Sequence, residues 1–254
     1  MRRAVVLGTL LIIGALSLGV AARQPTERVI EVEQVRDNLY VLRGGGGNLG
    51  IVTSLTYQLH QVGPEVLAGV VVHPIEKARQ AMKFYFEYTN AAPDEVAANA
   101  SLLTYPNGQR VLAIAACYTG PIGQGERALR PIRQFGSPLS DQIAPIPYTK
   151  LQAMGDDHFP KGLNYYWKTH FLREISDEAI DVIVSHFSKV TSRLSAVSFQ
   201  QYGGAVARVD ESETAFGHRD ARYDFIPAAV WSDQKETETH VQWARDLWEM
   251  MEPF

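Results

Sequence analysis

The sequence predicts an α+β fold: an antiparallel β-sheet covered by helices on one face. Strand-like runs come in neighbouring pairs, with helical patterns after them, which argues against a repeating βαβ order. One pair, "EVAANASLLTY" and "RVLAIAACYTG", flanks Pro106-Asn107-Gly108. Asn-Gly is a strong hairpin signal, because both residues tolerate positive φ. The chain has 254 residues, 46% hydrophobic and 20% charged. That composition is globular, and the length suits one large domain or two small ones.

The elements follow in order. Arg2 and Arg3 precede an apolar stretch over residues 4–20, and Val20-Ala21-Ala22 ends it with small residues that a signal peptidase accepts. Residues 1–22 therefore read as a signal peptide, with an uncleaved membrane anchor as the alternative. The expected localisation is export, periplasmic or secreted, or anchoring by the N-terminus. "RVIEVEQV" and "NLYVLR" alternate as short strands. A glycine run at 44–47 follows, then "IVTSLTYQLH" and "EVLAGVVVH", both rich in β-branched residues.

Pro74 opens a helix with Ala78, Ala81, Met82, Tyr85 and Tyr88 along one face. After the Asn-Gly hairpin come a helix over about 125–134 and a short helix near Leu151. "NYYWKTHFL" reads as one strand. Ser176 caps a helix that has Asp177, Glu178 and Asp181 at its positive end and Ile180, Ile183, Val184 and Phe187 inward. "SAVSFQQYGG" and "YDFIPAAVW" are strands, and a last helix over about 235–251 turns Val241, Ala244, Leu247 and Trp248 inward.

Composition narrows the function classes. Net charge is −4 and no Lys/Arg cluster follows a phosphate backbone, so nucleic acid is not an expected partner. Cys117 is the single cysteine, which excludes an internal disulfide and a cysteine-based metal cluster. It sits in an apolar run and reads as a small buried hydrophobe rather than a nucleophile. Asn99-Ala100-Ser101 fits a glycosylation sequon.

The glycine run raises a cofactor question. Gly45-Gly46-Gly47-Asn48-Leu49-Gly50 matches G-x-G-x-x-G, yet a strand follows it. A Rossmann site needs a helix there, because the helix N-terminus holds the pyrophosphate. Two readings stand: a flexible bend, or bare backbone N–H groups that approach a phosphate or an adenine edge.

"RGGGGNLGIVTSLTYQLH" closely resembles the segment that closes the flavin-binding domain of berberine-bridge-enzyme-like FAD-linked oxidoreductases, in the vanillyl-alcohol-oxidase superfamily. The resemblance continues through "VLAIAACYTGP", "ALRPIRQFG", "PYTKLQAM", "YYWKTHFLREISDEAID", "QQYGGAVARV" and "ETAFGHRDARYDF". It implies the substrate domain of that fold over 61–254 and a remnant of the flavin domain over 23–60. It implies FAD as cofactor, a small-molecule substrate, and hydride transfer to flavin with reoxidation by O₂. Family members carry roughly two hundred further residues before this loop, about the size of a domain, and a closing segment after the last helix. On that comparison the chain is expected to be incomplete, a separate flavin-domain chain being one candidate partner; the alternative is a non-catalytic exported α+β module that binds a small molecule or partner. "VEQVRDNLYVLRGGGGN" also resembles the opening of secreted metallo-β-lactamase-fold hydrolases, which suggests two coding segments joined at the glycine run. The seven histidines nowhere form the His-x-His-x-Asp-His zinc cluster that fold needs.

The resemblance places Gly46, Gly47, Asn48, Gly50, Ile51 and Val52 beside the FAD. Strand alternation puts Gln200 and Tyr202 on one face of "SFQQYGG". Gln200 resembles a substrate contact but cannot act as a base. Tyr202 either polarises the substrate or packs on the sheet. In "YYWKTHF", Tyr166, Lys168 and His170 share a face that lines a polar pocket or meets solvent, and Trp167 and Phe171 are expected in the core. The expected catalytic set is Gln200, Tyr202, Tyr166 and Lys168. His218 and Arg219 are expected to brace the domain, with Asp220, Asp224 or Glu213 pairing with Arg219.

Overall fold

The computed structural model describes residues 31–36, 39–43, 62–156 and 160–254. The signal-like stretch, the glycine run and "IVTSLTYQLH" lie outside the described residues. The described residues divide between two units, one ending near residue 60 and one running from there to Phe254. In the first, β1 (Glu31–Arg36) and β2 (Leu39–Arg43) pair antiparallel, with Glu31 opposite Arg43.

The second unit holds β3 (Glu65–Pro74), α1 (Ala78–Ala91), β4 (Val96–Thr104), β5 (Arg110–Tyr118) and α2 (Ile122–Gln134). It continues with β6 (Ser140–Asp141), β7 (Ala144–Pro147), α3 (Tyr148–Ala153), β8 (Asn164–Trp167) and β9 (His170–Leu172). Last come α4 (Asp177–Phe187), β10 (Ala196–Gln201), β11 (Tyr223–Trp231) and α5 (Thr237–Met250). Their strands form one antiparallel sheet in the order β6-β3-β5-β4-β10-β11-β8, with β7 also on β3 and β9 also on β11.

The β4–β5 hairpin closes as its sequence requires. Gly108 has φ +88° and its N–H donates to Tyr105 O at 2.8 Å. Asn107 Oδ1 accepts from Gln109 N at 2.9 Å. Two departures appear. A 3₁₀ turn, Ile75–Lys77, separates Pro74 from α1. The run "NYYWKTHFL" divides into β8 and β9 at Lys168 and Thr169. Lys168 N donates to Pro227 O at 3.4 Å, but Pro227 has no N–H to return, so the ladder lapses without a change of register.

Alternation sorts every strand into two faces. Toward the helices point Ala98, Ala100 and Leu102 of β4, Leu112, Ile114 and Ala116 of β5, Val197 and Phe199 of β10, and Tyr223, Phe225 and Ala229 of β11. They meet Tyr85 and Phe86 of α1, Leu129 and Ile132 of α2, Ile180, Ile183 and Phe187 of α4, and Trp243, Ala244 and Leu247 of α5. The centre is aromatic: Phe199 lies 5.1 Å from Phe86 and 5.3 Å from Phe225. Buried hydroxyls there find partners, as burial demands. Tyr85 OH donates to Ala98 O at 3.0 Å, and Thr89 Oγ1 lies 2.8 Å from Tyr223 OH. These bonds tie α1 to β4 and β11.

Ser176 caps α4 as expected, its hydroxyl accepting from Ala179 N at 3.1 Å. Asp177, in the first turn, also pairs with Lys83 of α1 at 2.9 Å, an exposed contact worth little. Ser176→Ala leaves a helix N–H without its cap and is expected to cost about 1 kcal/mol in urea unfolding. An unchanged midpoint would show that water caps the helix equally well.

Candidate functional site

The opposite face of the sheet, here the open face, carries a different chemistry. From β4 it takes Ala97, Asn99 and Ser101; from β5, Ala113, Ala115 and Cys117; from β10, Ser198 and Gln200. From β11 it takes Asp224, Ile226, Ala228 and Val230, and from β8, Tyr165 and Trp167. Ser101 Oγ and Ser198 Oγ lie 2.9 Å apart, which fixes their shared side. Small side chains dominate the middle of this face, so a flat molecule can approach the backbone closely.

One row crosses the strands. Asn99 stands opposite Gln200, Gln200 opposite Asp224, and Asp224 opposite Phe171. An amide, a second amide, a carboxylate and an aromatic ring thus follow each other across β4, β10, β11 and β9. Asp224 is only 6% exposed. Thr169 Oγ1 donates to its Oδ1. Burial lifts the carboxyl to about 6, and the Thr169 hydroxyl pulls partly the other way by favouring the anion.

Tyr202 follows directly on β10. Its N–H donates to Arg222 O at 2.7 Å, and Gly203 and Gly204 then turn the chain at φ +125° and +55°. Its ring stands edge-on to Phe171 at 5.5 Å and nearly parallel to Phe216 at 6.3 Å. His218 stacks on Phe171 at 4.3 Å. Burial first, and the Asp224 charge second, push the Tyr202 hydroxyl up to about 12, so it stays protonated at neutral pH. An aromatic wall therefore flanks the Asp224 carboxylate.

The structure brings Gln200 and Tyr202 together on the open face and places Tyr166 and Lys168 elsewhere. Tyr166 lies on the helix side, its hydroxyl accepting from Arg245 Nε at 3.0 Å. Lys168 Nζ sits 3.2 Å from the centre of the Trp248 ring, and His170 stacks on the same ring at 4.4 Å. These residues clamp α5; the thickness of the sheet separates them from Gln200. Conversely, Trp167 and Phe171, expected in the core, belong to the open face. The alternation itself holds. A strand does not encode which of its faces a helix covers, and here Trp248 decides.

Two further expectations change. Arg219 does not pair with the nearby acids: it donates to Val206 O at 3.1 Å and to Thr214 Oγ1, with its guanidinium 5.0 Å over Phe216. Asp220 pairs with Arg173 instead. Cys117 is half-buried on the open face rather than in the core, and burial pushes its thiol up to about 11. Gly46, Gly47, Asn48, Gly50, Ile51 and Val52 lie outside the described residues. Asp224 is the lone charge facing away from the apolar face of "YDFIPAAVW", and that is the signal in the sequence that marks it; proximity along the chain suggests only an ion pair with Arg219.

No family model matches the chain. It is 30% identical over 233 residues to an FAD-linked oxidoreductase of Dictyostelium discoideum, covering 88% of this chain and 50% of that protein. Among solved structures, the oxidoreductase GilR superposes with a TM-score of 0.69 at 19% identity, over 88% of this chain and 55% of that one. The berberine-bridge-enzyme-like protein 28 of Arabidopsis thaliana superposes with a TM-score of 0.67 at 19% identity, over 76% and 44%. The chain spans about half the length of the curated relatives it matches.

Proposed function

The chain is a homologue of the berberine-bridge-enzyme-like FAD-linked oxidoreductases and has their fold, and on that premise we propose that it forms the substrate side of an FAD-dependent oxidoreductase. The observation that carries the reading is the open face: small residues in its middle and the Asn99–Gln200–Asp224 row along it.

The described residues fit the ring end of the cofactor. Ala97, Ala115, Ser101 and Ser198 leave room for a planar system, and the serine hydroxyls and the Asn99 amide offer hydrogen bonds at its edge. Bound FAD supplies a two-electron acceptor, reoxidised by O₂. The chain's own residues do the rest. Gln200 and Tyr202 orient a small-molecule donor, Tyr202 as a hydrogen-bond donor, while Phe171 and Phe216 exclude water from it. The phosphate end of the cofactor falls to the part of the relatives' length that this chain does not match. We therefore propose that the 254 residues alone are incomplete for catalysis. Export belongs to the same reading, supported by the signal-like residues 1–22. Among the described residues no helix is long and apolar enough to cross a membrane.

The test uses flavin fluorescence. The purified chain is expected to carry no flavin absorption band and to quench added FAD only at high concentration. Ser198→Trp, which fills the middle of the open face, is expected to abolish that quenching. A co-purifying flavin band would overturn the claim of incompleteness. Quenching indifferent to Ser198→Trp would overturn the assignment of the face and favour a non-catalytic binding module.

A further inference from the structure

We propose that Asp224 is the proton acceptor of this site, taking the proton from the O–H or N–H group of a donor molecule held on the open face, with Thr169 positioning its carboxylate. The proposal rests on the reading of that face as the substrate side.

A general base must offer a lone pair to the reacting group, lie within its reach, and hold a proton only briefly near the working pH. Gln200, which faces the donor in the reading above, fails the third condition: its amide oxygen has lone pairs but is far too weakly basic to hold a proton near neutral pH. Tyr202 fails as well, because it stays protonated. Asp224 meets all three. It is the sole carboxylate that β4, β5, β8, β9, β10 and β11 present on the open face. It stands directly across the register from Gln200, so a donor held by the Gln200 amide lies beside it.

Its two oxygens are not equivalent. Oδ1 accepts from Thr169, and among the described residues nothing bonds Oδ2. That oxygen is the one left to receive a proton. The step is a simple transfer. The O–H or N–H bond of the donor breaks, its electron pair stays on the heteroatom, and the proton bonds to Oδ2. The electron-rich heteroatom is then ready to form a double bond to the carbon that loses its hydrogen.

The surroundings leave this proton to Asp224. From β10 it meets the neutral Gln200, and beyond it the protonated Tyr202. From β9 it meets Phe171, with His218 stacked on that ring. Lys168, between β8 and β9, and His170, at the start of β9, are its charged and titratable neighbours there; both face the helices and rest on Trp248. Burial alone therefore sets its ionisation, moderated by Thr169, and holds it near 6, largely ionised at neutral pH yet able to accept a proton.

The experiment needs no flavin. The full chain is titrated with 4-nitrophenol, whose phenol and phenolate forms differ in colour. Wild-type protein is expected to bind the neutral phenol, more tightly once Asp224 ionises, and to shift the probe's own ionisation upward. Asp224→Asn keeps the shape and is expected to weaken binding of the neutral phenol about tenfold, as loss of a bond to a charged acceptor does, and to remove the pH step. Thr169→Val removes the bond that favours the anion and is expected to move the step to higher pH while binding persists. Equal binding by wild type and Asp224→Asn, as a purely structural Asp224–Thr169 clip requires, overturns the proposal. So does an absence of binding to wild type. Failure of the flavin reading shows separately, in the Ser198→Trp fluorescence experiment.

Discussion

Phe225→Ala is expected to cost about 3–5 kcal/mol in urea unfolding, the range for emptying a large aromatic site in a packed core. Phe225 is fully buried in β11, opposite Phe199 in register and 5.3 Å from its ring, with β10 on one side and β9 on the other. Its neighbours cannot close the space cheaply. Phe199 is held by Phe86, and Tyr223 is fixed by its bond to Thr89. The effect reaches the other side of the sheet, because Asp224 is the adjacent residue of the same strand. A strand that settles into the cavity carries the carboxylate away from Thr169. Phe225→Leu fills most of the volume and is expected to lose much less. A loss below about 1 kcal/mol for the alanine variant would mean that the aromatic centre is looser than its contacts imply.

The same strand shows how far the sequence could be read. "YDFIPAAVW" announces both its state and its faces, because strand alternation is a local property. The Asn107-Gly108 turn and the Ser176 cap were equally plain, each depending on residues within a few positions. The site was only half legible. Gln200 and Tyr202 could be paired by counting along one strand. Asp224 could not be joined to them, because its position opposite Gln200 depends on how β10 and β11, separated by a long loop, come into register. Tyr166 and Lys168 were drawn to the site for the converse reason. Their face looked polar along the chain, and only the arrival of Trp248 from α5 shows that it is a helix contact.

Asp224→Asn is expected to stabilise the protein at neutral pH while blunting the chemistry proposed for this residue. The sign follows from linkage. Burial raises the folded carboxyl from 3.8 to about 6. The folded state therefore keeps this proton over a range where the unfolded chain has already released it. The group's contribution to stability is fully present below pH 3.8 and is lost as pH rises through about 6. Above that the protein carries a buried charge at a cost on the order of 3 kcal/mol, since each pKa unit is about 1.36 kcal/mol. Asparagine keeps an acceptor for Thr169 and carries no charge, so the cost disappears. The quantity to measure is the stability difference between the variant and wild type from pH 4 to pH 8. Taking the difference cancels the opposite drift from His73 and His186, whose burial lowers their pKa. It should grow in favour of the variant, most steeply between pH 4 and pH 6, and level off above that. A difference that stays flat would mean that Asp224 is solvated like a surface acid, with no charge stored for proton transfer. A stabilising replacement that also weakens phenol binding and removes its pH step is the signature of a group retained for its chemistry at the expense of the fold.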